Sequence, residues 1–351
     1  MRPLLDQKQT STHRSNITTK MLNILFQNEA PWTVKHKHEG LALFQRRALL
    51  GVLATLFISA VHSGAAMAAT QAGTINAIGV ENEYADVISQ IGGKYVQVSA
   101  IETDPSTDPH TFEISPKIAA QIATTDLIVK NGVGYDAWAE KIIAAAPNSK
   151  RKVIDVQHLL GIPDKTRNPH LWYDPRTMPI VAKAIADDLA ALQPAQAEYF
   201  HANLKKFDDS LKPWVEAIAL FKAKYPKTPV AATEPVANYM LEAAGVEIAT
   251  PFSLQAAIMN GTDPSPQDVT TQNKLFADHK VKVFVYNQQV TSSLTQSFLA
   301  LAKKNNVPVV GVYETMPTPG FTYQSWMLAE VNALQKAVAN KVSTETLKAG
   351  K

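Results

Sequence analysis

From about residue 74 onward the chain alternates short apolar runs of strand length with longer amphipathic runs of helix length, and it does so twice. Strands separated by helices are built into parallel sheets, because each crossover helix brings the chain back to start the next strand in the same direction. In the first half, residues 74–79 read as a strand, 82–91 as a helix ended by Gly92-Gly93, and 95–101 as the next strand. Ser115-Pro116 opens a further helix, with serine as N-cap and proline at the first helical position. Residues 127–130 and 153–156 are two more apolar runs. After Pro226 the pattern restarts, with strands at 229–233, 281–286 and 307–313, a helix at 236–244 closed by Gly245, and a terminal helix at 326–342.

Between the halves lies a helical region from about 176 to 224, interrupted near Pro194. Its later part carries Phe200, Leu204, Phe207, Leu211, Trp214, Ile218 and Phe221. The steps are threes and fours, so one face is apolar and long enough to serve both halves. The expected fold class is α/β: two α/β lobes with parallel sheets joined by one long rigid helix. The expected divisions are residues 1–68, 69–192 for the N-terminal lobe, 193–225 for the connecting helix, and 226–351 for the C-terminal lobe.

Residues 1–68 read as a targeting segment. Arg46-Arg47 precede a fourteen-residue apolar run, 48–61, and Ala66-Met67-Ala68 comes next as a small-residue cleavage site. A run of that length is short for a membrane-spanning helix, which needs about 20 residues. Cleavage after Ala68 is expected, by the general secretory route or, given the paired arginines, the twin-arginine route; a short membrane anchor is the alternative. The 45 residues before Arg46 are long for such a segment, and Met21 is a second candidate start. This segment holds eight Lys/Arg against three acids, so residues 69–351 hold 26 basic and 28 acidic side chains and carry no electrostatic footprint for nucleic acid. The segment's four histidines (His13, His36, His38, His62) need no ligand role.

The chain has no cysteine, which excludes disulfides, thiolate metal sites, a cysteine nucleophile and a lipidated-cysteine anchor. Any metal site must use imidazole, carboxylate, carbonyl or water. Two of the five remaining histidines share one setting: Asp108-Pro109-His110 and Asn168-Pro169-His170. Proline fixes its own φ and biases the preceding residue to extended backbone, so each loop presents its histidine rigidly. Glu234 and Glu314 each come directly after a strand of the second half. Ligands of open parallel sheets bind beyond the carboxyl ends of the strands, so facing lobes would join two imidazoles and two carboxylates. That set suits Zn²⁺, Mn²⁺ or Fe²⁺. Taken singly, each histidine can equally be a hydrogen-bonded loop residue, Glu234 a carboxylate favoured by a helix N-terminus, and Glu314 a solvated strand-end acid. His158, His201 and His279 are expected in loops or on the surface. Trp138, Trp172 and Tyr173 are expected to pack near the cleft, the last two holding the His170 loop. Asn287 is a candidate hydrogen-bond donor to a ligand.

Three segments are more specific: Thr107-Asp108-Pro109-His110-Thr111-Phe112-Glu113, Asn131-Gly132-Val133-Gly134-Tyr135-Asp136-Ala137-Trp138, and Asn168-Pro169-His170-Leu171-Trp172-Tyr173-Asp174-Pro175. With Asp263-Pro264-Ser265, and in this order over nearly all of residues 73–339, they resemble the zinc/manganese-type solute-binding proteins of ABC transporters. The resemblance implies two lobes bridged by one helix with a metal ion held in the cleft. His110 and His170 stand at the family's first two ligand positions, Glu234 at the third and Glu314 at the fourth. The fourth is often aspartate, so glutamate there departs from the pattern by one methylene. The histidine-rich acidic loop of many zinc-specific members is missing. That tilts the expectation toward manganese or iron, although Irving–Williams preference keeps zinc in play. The resemblance also implies capture in the periplasm, an ABC-transporter permease in the inner membrane as partner, a monomer, and no catalysis. The competing reading is an exported metallohydrolase, with three of the four residues on zinc and Glu314 as base. A surface adhesin and a sugar- or amino-acid-binding protein are weaker alternatives, the latter calling for a wider cleft with aromatic platforms.

Overall fold

The computed structural model describes residues 73–348. The targeting segment, its cleavage site and its histidines lie outside the described residues.

The first lobe runs β1 (Ile75–Glu81), α1 (Asn82–Gly92), β2 (Val96–Glu102), α2 (Pro116–Ala123), β3 (Leu127–Lys130), α3 (Ala137–Ala145), β4 (Lys152–Asp155) and the short α4 (Val156–Leu159). Two helices come next, α5 (Thr177–Leu192) and α6 (Ala197–Lys224), parted by a 3₁₀ turn at Pro194–Gln196. The second lobe runs β5 (Pro229–Ala232), α7 (Asn238–Ala243), β6 (Glu247–Ile248), α8 (Phe252–Met259), α9 (Pro266–Ala277), β7 (Val283–Asn287), α10 (Ser293–Lys304), β8 (Val309–Val312) and α11 (Tyr323–Asn340). The sheet orders are β2-β1-β3-β4 and β6-β5-β7-β8, and every pairing in both is parallel. The lobes therefore repeat one topology, as the doubled sequence pattern implies.

Helix α6 spans 28 residues, about 42 Å at the usual rise. Its buried stripe is Phe200, Asn203, Phe207, Leu211, Trp214, Ile218 and Phe221. The expected Leu204 is only partly buried, and Asn203 takes the inner place because its Nδ2 donates to the Ile91 carbonyl at the end of α1, 3.0 Å away. One apolar core runs through both lobes around this helix and includes Trp172, Trp214 and Trp326. Trp214 meets the Tyr323 ring of α11 edge-on at 5.8 Å.

The strands follow the apolar runs to within a residue or two. Where the ends differ, caps decide. The last helix begins at Tyr323, three residues earlier than the apolar pattern suggests, because Thr322 and Ser325 form a capping box. It ends at Asn340, with Lys341 left-handed at φ 57°. Helices α3, α4, α8, α9 and α10 and the short strand β6 are additions to the elements that the pattern predicts. Among these, α8 is mostly apolar, with Ser253 and Gln255 its polar residues, and shows no amphipathic period to read.

Candidate metal centre

His110 sits in a 3₁₀ turn, Pro109–Thr111, beyond the carboxyl end of β2. The Asp108 carboxylate accepts from the His110 backbone N–H at 2.9 Å and shapes the turn. His170 lies beyond β4 and α4. Asn168 Oδ1 accepts from its backbone N–H at 3.2 Å and stands 2.7 Å from its ring Nδ1. An Nδ1–H donating to Asn168 leaves Nε2 as the lone-pair nitrogen, the tautomer that a metal ligand requires. Asn168 Nδ2 in turn donates to the Pro235 carbonyl of the other lobe at 2.9 Å.

The two imidazoles converge on Glu314, two residues beyond the end of β8. His110 Nε2 is 3.2 Å and His170 Nε2 is 3.1 Å from the same oxygen, Glu314 Oε2. Ligand atoms of His110, His170 and Glu314 all lie within 4.8 Å of one another, the one such group among the described residues. His170 and Glu314 side chains are fully enclosed, while 24% of the His110 side chain faces solvent. The cleft outside has a volume of about 500 Å³ and is lined by His110, Tyr135, Arg167 and Phe252 among others.

Glu234 stands apart from this group. It follows β5, is 3% exposed, and has no hydrogen bond within 3.5 Å, with the Asn287 amide as the donor near it. Burial, then the nearby Glu314 charge, pushes its pKa well above the usual carboxylate range. A buried carboxylate so thinly supplied with donors is costly unless it is protonated or meets a cation. The structure thus joins three of the four expected donors and leaves the fourth beside them.

The ionisation pattern favours one ionised carboxylate at the centre, Glu314 rather than Glu234. Burial raises Glu314, but the imidazoles set against it, His110 as donor and His170 beside it, outweigh burial and hold the carboxyl far below its ordinary range. Burial lowers His110, yet Glu314 overrides it and the pKa rises; His170, wholly enclosed, is lowered by burial and stays neutral. Burial also pushes Glu102 up to about 8, and Glu81 and Glu83 well above their ordinary range. Burial thus favours the neutral form of each of these acids, and they compete little with Glu314.

Three further residues build the site. Asn287, the last residue of β7, donates from Nδ2 to Glu314 Oε1 at 2.7 Å, as the strand-end position suggests. Tyr135 donates its hydroxyl to Glu314 Oε2 at 3.1 Å. It reaches there because the Asn131–Gly134 turn is folded around Asp136, whose carboxylate accepts from the N–H groups of Asn131 and Gly132 at 2.6 and 3.0 Å. Gly132 has φ +83°, which side-chain-bearing residues rarely adopt. Gln289 is the third, its side-chain oxygen accepting from the Glu314 N–H at 2.6 Å. The glycine pair in the turn marks Tyr135 in the sequence; nothing local marks Gln289.

Trp172 and Tyr173 are fully buried, Trp172 edge-on to His170 at 5.4 Å and the Tyr173 hydroxyl on the Tyr313 carbonyl at 2.8 Å. Trp138 packs on Phe112 and donates to Glu102 at 3.3 Å. His158 is paired with Asp155 at 2.9 Å and largely exposed, and His201 and His279 are surface residues. None of the three joins the centre.

The family model described as "ZnuA: Zinc-uptake complex component A periplasmic" matches residues 81–337. The "Manganese ABC transporter substrate-binding lipoprotein PsaA" of Streptococcus pneumoniae serotype 4 is 25% identical over 281 residues, 74% of this chain and 87% of that protein. The "Iron ABC transporter substrate-binding lipoprotein MtsA" of Streptococcus pyogenes serotype M1 is 27% identical over 190 residues, 49% of this chain and 61% of that protein. Among solved structures, the periplasmic zinc-binding protein TroA of Treponema pallidum superposes with a TM-score of 0.65 at 16% identity, over 77% of this chain and 100% of that one. FpvC of Pseudomonas aeruginosa, in complex with Ni²⁺, superposes with a TM-score of 0.62 at 21% identity, over 77% and 99%. Identities this low speak for the fold alone.

Proposed function

Because this chain belongs to the zinc-uptake complex component A family of periplasmic proteins, we propose that it captures one divalent transition-metal ion outside the inner membrane and hands it to the permease of an ABC importer. The observation that carries this reading is the meeting of two imidazole nitrogens and a buried carboxylate from two lobes, near a second buried carboxylate, Glu234. His110, His170 and Glu314 are the first donors, and Glu234 closes on the ion as the fourth. Neutral imidazole and carboxylate suit Zn²⁺ and Mn²⁺, and also Fe²⁺. Manganese and iron are the metals named for the two relatives, and zinc and nickel for the two structural neighbours.

Capture is without catalysis in this reading. Once Glu234 joins, four protein donors complete a tetrahedral shell and leave no open position for an activated water. The chain acts as a monomer, exported by residues 1–68, with lobes at 69–192 and 226–351 and the connecting helix at 193–225. The test is uptake of radiolabelled zinc or manganese by cells that lack this chain, complemented with the intact protein or with the His110→Ala/His170→Ala variant. Uptake restored by the first and not the second is expected. Equal uptake with both would overturn the proposal.

A further inference from the structure

The two histidine loops are held very differently. The His170 loop is stitched to the second lobe by Asn168 Nδ2 on the Pro235 carbonyl, by the Tyr239 hydroxyl on the Asn168 carbonyl at 2.8 Å, and by Tyr173 on Tyr313. The segment after Glu314 is fixed to the first lobe just as firmly. Asn82 Nδ2 donates to the Met316 carbonyl and Asn82 Oδ1 accepts from the Met316 N–H, both at 2.9 Å. The His110 loop, by contrast, is surface-exposed at residues 103, 104, 106 and 107.

Gln289 reaches this loop from the other lobe. It is 4% exposed and lies just beyond β7. Its Oε1 accepts from the N–H groups of Glu314 and Thr315 at 2.6 and 2.8 Å. Its Nε2 donates to Thr315 Oγ1 at 3.1 Å and to the Thr107 carbonyl at 2.9 Å. Its own N–H donates to Asn287 Oδ1 at 3.0 Å. One carboxamide therefore uses both acceptor and both donor sites, and joins the Glu314 backbone to the loop that carries His110 three residues further on.

The geometry points to Gln289 as the clasp that sets the rate of metal release: when its bond to Thr107 opens, the His110 loop swings out while His170 and Glu314 stay in place. The inference rests on the metal-capture reading. It makes Gln289 a positioning residue, with no contact to the ion. A fully buried amide that satisfies a ligand's own backbone and the loop of a second ligand couples their movements.

The test is Gln289→Glu, which keeps an acceptor for the Glu314 and Thr315 N–H groups and, when ionised, loses the donors to Thr107 and Thr315. Zn²⁺-loaded protein is mixed with excess chelating dye in a stopped-flow instrument. Release is expected to accelerate about ten-fold, roughly the worth of one lost hydrogen bond. Association should stay within about two-fold, as most affinity changes fall on dissociation. Gln289→Met, of similar length and without donors or acceptors, should release at least as fast. In the metal-free protein, amide exchange should quicken in residues 104–112 and be unchanged in α6 and β5. Unchanged release in both variants, or unchanged exchange in that loop, would overturn the inference. The exchange arm needs no metal. Failure of the intact chain to bind Zn²⁺ would instead strike at the capture reading.

Discussion

Replacing Asn287 by alanine should weaken metal binding about 10–100-fold while leaving all four ligand side chains in place. Asn287 is fully buried, and its Nδ2 is the donor held 2.7 Å from Glu314 Oε1. A hydrogen bond to a charged group contributes roughly 1.5–3 kcal/mol, which at 1.4 kcal/mol per decade is about one to two decades in Kd. The general cost of losing a partner behind a metal ligand falls in the same range. The change also strips the Gln289 N–H of its acceptor, Asn287 Oδ1, at a cost of about 1–3 kcal/mol to the fold. That loss lowers Tm by several degrees, roughly 2–4 °C per kcal/mol for a chain of this size, so affinity must be read well below the transition. Asn287→Asp separates charge from shape. It would set a second carboxylate at the same 2.7 Å, where two charges repel by about 6 kcal/mol even at an effective dielectric of 20. One of the pair must then hold a proton, so the aspartate variant should bind worst in acid and recover part of the loss as pH rises. The assay is calorimetric titration of stripped, tag-free protein with Mn²⁺, and with Zn²⁺ in competition against a chelator. An alanine variant that is folded, shows the lowered Tm and yet binds within about two-fold of the parent would refute the reasoning.

Metal affinity should fall as pH drops between about 8 and 5, because the ion must displace protons from His110 and Glu234. Since Glu314 raises the His110 pKa against the effect of burial, the decline should begin above the ordinary imidazole value of about 6.5. Calorimetry in buffers of different ionisation enthalpy would count the released protons. A pH-independent Kd over this interval would contradict the assignment. A second pH effect belongs to the fold. Burial lifts Glu330, inside α11, to about 8 despite donors at Trp326 and Tyr173. Above about 4.3 the unfolded chain gives up this proton and the folded chain keeps it, so stability falls with rising pH until about 8 and levels off beyond. Glu330→Gln removes this dependence. Between about pH 5 and 8 the parent should lose up to about 4 kcal/mol more than the variant in urea unfolding. Parallel curves would show that Glu330 is ionised in the folded protein.

The doubled α/β layout and the long helix were legible because period-2 and period-3.6 patterns record burial directly, and the apolar stripe from Phe200 to Phe221 is buried apart from the exchange of Leu204 for Asn203. The Pro-His loops and strand-end acids were legible because parallel sheets put such residues at one edge. What was illegible depends on how the lobes meet. That His110, His170 and Glu314 close on one another while Glu234 stands aside results from the relative placement of two sheets, which no periodicity encodes. Tyr135 and Gln289 act across the lobe boundary, with partners 179 and 182 residues away, so their neighbours in sequence say nothing of them. Asn168 was visible as part of a motif, but its role on His170 Nδ1 needed the loop's geometry.

The most direct measurement is a calorimetric titration of the metal-stripped chain from Ala69 onward with Zn²⁺, Mn²⁺ and Fe²⁺, repeated with His110→Ala/His170→Ala. A centre built on these two imidazoles predicts tight one-to-one binding of at least one of these ions by the intact chain and its loss in the double variant. Binding no stronger than the micromolar range, or binding of equal strength in both proteins, would contradict it.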